Sequence, residues 1–301
     1  MKHISLLIIA GYFCMTASAQ NITLEKHKNL CDSFYSNAAQ KADFDSAIYY
    51  ARLTEQLTKQ ESGDNSHEYA RVCDQFMGMC LEAGGYYTDA LKWYTKAVSI
   101  FEANKDSTID YADALANTGN ILNEKFGSYL QARKYLLTSR RLCERLHAVL
   151  QPGYFAVLNN LANGYYYTGN FILAEKIWLQ VTDALNLFSA FADKNSRPFI
   201  DDKLALVNNN IASLYYDWGN LEKAVQFSSI AVASEKKLGQ QFADSYIRMA
   251  TTLMNLYTTN GEYKKADSLL RENFNHELTD TTSLTYTSLL SARANFNHAT
   301  G

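Results

Sequence analysis

The chain has 301 residues, 47% of them hydrophobic and 20% charged, with two prolines and a formal net charge of −3. This composition fits a helical globular protein and excludes both a disordered chain and a membrane bundle. The first nineteen residues hold one lysine and no acid, so the remainder carries about −4, which gives no general attraction to nucleic acid or to an anionic membrane.

Residues 1–19 read as a secretory signal peptide. Lys2 and His3 precede an apolar stretch from Ile4 to Met15, and Ala17-Ser18-Ala19 supplies small residues before Gln20. The apolar run is short for a membrane span. Phe13, ahead of Cys14, does not suit a lipoprotein start. The expectation is a mature chain beginning at Gln20, exported to the periplasm or beyond, with no membrane span. Four cysteines then remain: Cys31, Cys73, Cys80 and Cys143. Cys73 and Cys80 fall on one predicted helix about 10 Å apart along its axis, beyond disulfide reach. With no C-x-x-C pair and no accompanying His cluster, small buried thiols are expected, and neither metal nor cofactor.

From there on a single unit recurs. Ala47, Ala90, Ala132, Ala174, Ala224 and Ala266 are spaced 42 or 43 residues apart, except for 50 between Ala174 and Ala224. A fixed period of this size signals stacked supersecondary units. Twelve residues before three of these alanines lies another small residue: Gly78, Ala162 and Ala212. Small residues facing each other let two antiparallel helices approach closely. Three residues after Gly78, Ala162, Ala212 and Met254 come Leu81, Tyr165, Tyr215 and Tyr257, extending an apolar stripe at helical spacing. Gly85, Gly127, Gly169, Gly219 and Gly261 mark the turns between first and second helices. The clearest copy, LNNLANGYYYTGNFILAEKIW, runs from Leu158 to Trp178.

The departures follow the same order. The first copy has Tyr35 in place of a small residue and Ala42 in place of the turn glycine, as suits a terminal cap. The third carries one extra residue in its turn, NEKFGSY, and on its second helix a basic stretch, Arg133, Lys134, Arg140, Arg141 and Arg145, which reads as a solvated face. The longer spacing after Ala174 falls near Ser189 to Lys203, where Pro198 and polar residues imply a loop or a helix extension. Such an insertion is either tolerated length or a binding loop. Thr285 to Thr300 reads as one more first helix, with Leu289, Ala292 and Phe296 on one face. It is either a cap or the start of a seventh repeat in a longer protein.

The order of small residue, aromatic, Gly, aromatic or aliphatic residue and Ala resembles the tetratricopeptide repeat (TPR), in a long form similar to that of kinesin light chains. The resemblance spans roughly residues 28–280 and is strongest over 155–188, 205–238 and 247–275. It implies an all-α, right-handed superhelical α-solenoid of stacked helix-turn-helix repeats, six over 20–280, with a final helix over 281–301. On such a superhelix the first helices line the concave face. Asn117, Asn120, Asn159, Asn160, Asn163, Asn209, Asn210 and Asn255 then fall mainly at groove-facing positions, with Tyr166 and Tyr216 nearby. An Asn side chain offers one acceptor and two donors and can grip the backbone of an extended peptide. It can equally bridge neighbouring helices, and both readings stand. The family's carboxylate clamp is not apparent; Arg248 is the nearest candidate.

Catalytic signals are lacking. His27, His67, His147, His276 and His298 are scattered, and no H-E-x-x-H, G-x-S-x-G or P-loop occurs. The expected role is a scaffold for a protein or peptide, with no enzymatic activity. The alternative, by analogy with similar arrays, is the sensory part of a longer signalling protein or CHAT-type peptidase.

Overall fold

The computed structural model describes residues 23–37, 44–238, 243–274 and 284–301. The expected signal segment, Ala42 and His276 lie outside the described residues. Every regular element described is helical. Helix α1 covers 23–37 and α2 covers Phe44–Ser62. Helix α3 is α-helical over His67–Arg71, widens to a π-helix over Val72–Gly78 and narrows again over Met79–Ala83. Then come α4 (Tyr87–Ala103), α5 (Ile109–Glu124), α6 (Tyr129–Arg145), α7 (Pro152–Tyr167) and α8 (Phe171–Phe191). The chain continues with α9 (Arg197–Asp217), α10 (Leu221–Glu235), α11 (Ala243–Thr259), α12 (Tyr263–Phe274) and α13 (Leu284–Thr300). Odd-numbered helices up to α11 are the first members of hairpins and even-numbered ones the second. The array is an all-α helical-repeat solenoid.

The period-setting alanines explain the hairpins. Ala47, Ala90, Ala132, Ala174, Ala224 and Ala266 are all 0% exposed, so each second helix meets its neighbours through a position with no room beyond Cβ. The opposing small residues are as tightly held: a Cβ on Gly119 would sit 2.5 Å from Leu136 Cγ. Two of the hairpin turns follow from the dipeptide Gly-Asn, at 169–170 and 219–220. At Gly169 φ is +76°, a region cheap only for glycine. Its N–H returns to the Tyr166 carbonyl at 2.9 Å and that of Asn170 to Tyr165 at 2.8 Å, closing α7. The Asn170 side chain then accepts from the Leu173 N–H at 3.3 Å and starts α8. Asn220 does the same for α10 through the Lys223 N–H at 3.1 Å.

The described residues form two compact units, divided between Asn160 and Leu161, inside α7. In the N-terminal unit Tyr69, Phe101, Leu115 and Tyr94 fill the core, and the four cysteines among the described residues are free and buried. Cys31 and Cys80 bring their sulfurs to 3.4 Å between α1 and α3, a proximity that spacing along one helix could not reveal. In the C-terminal unit Trp178, Leu185, Ile211 and Leu214 are buried, and α13 lays Leu289 and Ala292 over Ala266 and Leu270. The insertion after Ala174 is absorbed as helix: α8 runs on to Phe191, and α9 begins with Pro198 in its first turn, where the missing N–H costs nothing. Phe191 and Phe199 are left largely exposed there. No described helix is long and apolar enough to cross a membrane.

Candidate functional site

In the N-terminal unit the asparagines of the first helices bond to one another's helices. Asn117 on α5 donates to both carboxylate oxygens of Asp74 on α3 at 3.1 Å. Asn160 on α7 donates to Asn120 Oδ1 on α5 at 2.6 Å, and Asn123 donates to the Asn160 carbonyl at 2.8 Å. Asn123 and Asn160 are buried. Asn117, Asn120 and Asn160 therefore act as bridges between first helices, while Asn159 is half-buried beside them. Burial pushes Asp74 up to about 7, against the Asn117 hydrogen bond that lowers it, with Asp113, Asp110 and Glu82 adding to the rise. Burial, helped by Asp110, likewise takes Asp113 to about 6. His67, at the start of α3, lies 2.7 Å from Asp106 and 3.0 Å from Asp110 and ties α3 to α5.

The C-terminal unit holds a groove of about 620 Å³. Its walls are the last turns of α7, α9 and α11, supplying Tyr166, Tyr216, Asp217 and Thr258, together with Asn295 and Ala299 from α13. Tyr166 donates its hydroxyl to Asp217, and its ring packs against Phe171 and Trp178 at centroid distances of 5.8 and 5.9 Å. Burial first, and then the Asp217 carboxylate, raise the Tyr166 phenol, which stays a neutral donor. Tyr216 is 48% exposed and free to meet a ligand with its face. Asn255 lines the groove and accepts from Asn295 Nδ2 at a long 3.5 Å, a bond that does not use its own amide N–H groups.

Of the residues singled out from sequence, Tyr166, Tyr216 and Asn255 line this groove. Asn163, Asn209 and Asn210 are half-buried outside its lining, and Asn209 holds its side-chain oxygen buried without a hydrogen-bond partner. Sequence reasoning missed Asp217, Thr252 and Asn295. The signal existed: Ser213, Tyr216 and Asp217 share one face of α9, and Thr252, Asn255 and Thr259 share one face of α11 by helical spacing. Among the described residues no group of three His, Cys, Asp or Glu side chains is arranged to hold a metal ion.

No protein-family model and no curated protein sequence matches the chain. Solved structures do. The apo form of RapI superposes with a TM-score of 0.64 over 94% of this chain and 75% of its own, at 13% identity. A putative kinesin light chain from Podosopora anserina, solved for its nearly identical TPR-like repeats, gives 0.50 over 81% and 97%, at 17% identity. The fold is TPR-like. NprR, solved in complex with its cognate peptide NprX, gives 0.53 over 81% of this chain and 66% of its own, at 13% identity. The resemblance read from the alanine period is thus borne out at the level of fold, and the groove lies on the first helices of a TPR-like array.

Proposed function

We propose that this TPR-like protein is an exported scaffold that binds a peptide or an extended protein segment in the groove of its C-terminal unit. The observation that carries the reading is that groove: four successive odd-numbered helices place Tyr166, Tyr216, Asn255 and Asn295 around one open channel. An exposed aromatic face beside amide groups suits a peptide, which offers apolar side chains and a repeating backbone donor and acceptor. The peptide held by NprR, a protein of similar fold, is consistent with it. Export is supported by the order of charged, apolar and small residues over 1–19.

The test is selection of binders from a displayed library of random short peptides, followed by calorimetry on the purified chain. Tyr216→Ala and Asn255→Ala should each weaken binding roughly tenfold, about 1.4 kcal/mol, whereas Ile230→Ser on the exposed face of α10 should not. Binding that ignores the groove variants but falls with Ile230→Ser would place the ligand on the second helices and end the groove reading.

A further inference from the structure

The groove has a hydrogen-bonding polarity. Four of its hydroxyl side chains have already given their proton to their own helix: Ser213 to the Asn209 carbonyl at 3.2 Å, Thr252 to Arg248 at 3.2 Å, Thr258 to Met254 at 2.9 Å and Thr259 to Asn255 at 2.9 Å. A hydroxyl bonded in this way keeps its lone pairs and has no donor left to offer. Tyr166 has likewise given its proton to Asp217. What remains facing the channel is a row of acceptors, with the donors supplied by the Asn255 and Asn295 amides and the exposed Tyr216 hydroxyl.

Charge points the same way. Asp217 is the one ionisable carboxylate of the lining, and no Lys, Arg or His lines the channel among the described residues. The nearest guanidinium on the same face of α11, Arg248, is turned back one turn to donate to Ser245 Oγ at 3.0 Å. Tyr166, Tyr216–Asp217, Thr258–Thr259 and Ala299 each sit in the last turn of their helices, so four C-terminal ends converge on the site. A helix C-terminus carries partial negative charge that is felt within about one turn. The N-terminus of α8 lies close by, with Phe171 packed on Tyr166 at 5.8 Å, and offsets part of this charge. The exposed ring of Tyr216 adds a surface that attracts cations.

We infer that the groove selects a ligand that donates and is positively charged: a basic peptide segment whose Lys or Arg side chain sits against Asp217 and Tyr216. This rests on the proposal that the groove binds a peptide, and goes beyond it by fixing the ligand's charge. It also sets this site apart from one built on Lys and Arg to take a carboxylate.

Three fluorescent peptides of equal length, differing only in whether their central residues are Arg, Ser or Glu, are titrated against the full chain at low and at physiological salt. The expected result is at least tenfold tighter binding of the Arg peptide than of the Glu peptide, with the difference shrinking as salt rises. Asp217→Asn should remove most of that preference, and the control Asp89→Asn, an exposed acid on α4 paired with Lys92 at 2.8 Å, should leave it intact. Thermal melts of both variants report whether the fold is kept. Equal binding of the three peptides in a Tyr216-dependent manner overturns the charge inference and leaves the peptide groove standing. A preference for Arg that Asp217→Asn leaves unchanged overturns it too, because the cation is then held elsewhere. Failure of every peptide to bind the folded chain removes both.

Discussion

A Cβ placed on Gly78 would lie 2.2 Å from Cε1 of Tyr94, so the two residues occupy one packing position shared between the helices of the second hairpin. Tyr94 has nowhere to go: it is 1% exposed, and its hydroxyl donates to Glu82 at 2.7 Å. Gly78→Ala gains about 1 kcal/mol of helix propensity. Overpacking of a buried ring costs about 1–3 kcal/mol. The clash is expected to win, lowering the thermal midpoint by several degrees, and Gly119→Ala against Leu136 should behave alike. An unchanged midpoint for both would show that the hairpins are not held at this separation.

Stability should rise as pH falls from 8 to 5. Asp74 titrates near 7 when folded, against an ordinary value of 3.8, so between those two values the folded chain holds a proton that the unfolded chain has lost. Folding is therefore favoured at the acid end, and the gain disappears as pH passes through 7. His67 is also raised, by Asp106 and Asp110 against a desolvation that lowers it, and works in the same direction. Asp74→Asn isolates the first contribution. Urea midpoints of this variant should vary less with pH than those of the parent, and at pH 8 it should be at least as stable.

The thiols should be silent in the native state. Cys31, Cys73, Cys80 and Cys143 are at most 3% exposed, and burial pushes the Cys73 thiol up to about 12 and raises those of Cys80 and Cys143. For Cys80 the neighbouring Cys31 thiol is the largest cause. The thiolate is the reactive form, so both access and chemistry oppose modification. A maleimide is expected to label the reduced chain only after denaturant opens the repeats. Rapid native labelling of any of these four would contradict the packing.

The fold was legible because its determinants are local or periodic. An alanine at 0% exposure leaves a trace in the sequence at every repeat, and Gly169-Asn170 encodes both the end of α7 and the start of α8. The π-helical stretch of α3, which contains the buried Asp74, was not legible, because no composition marks where a helix widens. The site was half legible. Tyr166, Tyr216 and Asn255 follow from the phase of the repeat, but the division of labour among the asparagines depends on partners some 40 residues away, as with Asn160 and Asn120. Asp217 went unnoticed because a lone acid near a turn looks like any solvated residue until Tyr166 is seen bonded to it.

That division of labour is open to measurement. Asn117→Ala removes the donor that faces Asp74 and leaves a buried carboxylate unsatisfied, at a cost of about 1–3 kcal/mol. The loss should be larger at pH 8, where Asp74 is ionised, than at pH 5, where it is protonated. Asn160→Ala strips Asn120 Oδ1 of its donor and should destabilise to a similar degree without the pH dependence. Asn255 makes only a 3.5 Å contact with Asn295, so Asn255→Ala should change stability by less than about 0.5 kcal/mol while weakening ligand binding. Denaturant curves at the two pH values, set beside peptide titrations, separate the two roles. If Asn117→Ala and Asn255→Ala proved alike in both measurements, the asparagines would form one functional set, and the partition between helix bridges and groove residues would be wrong.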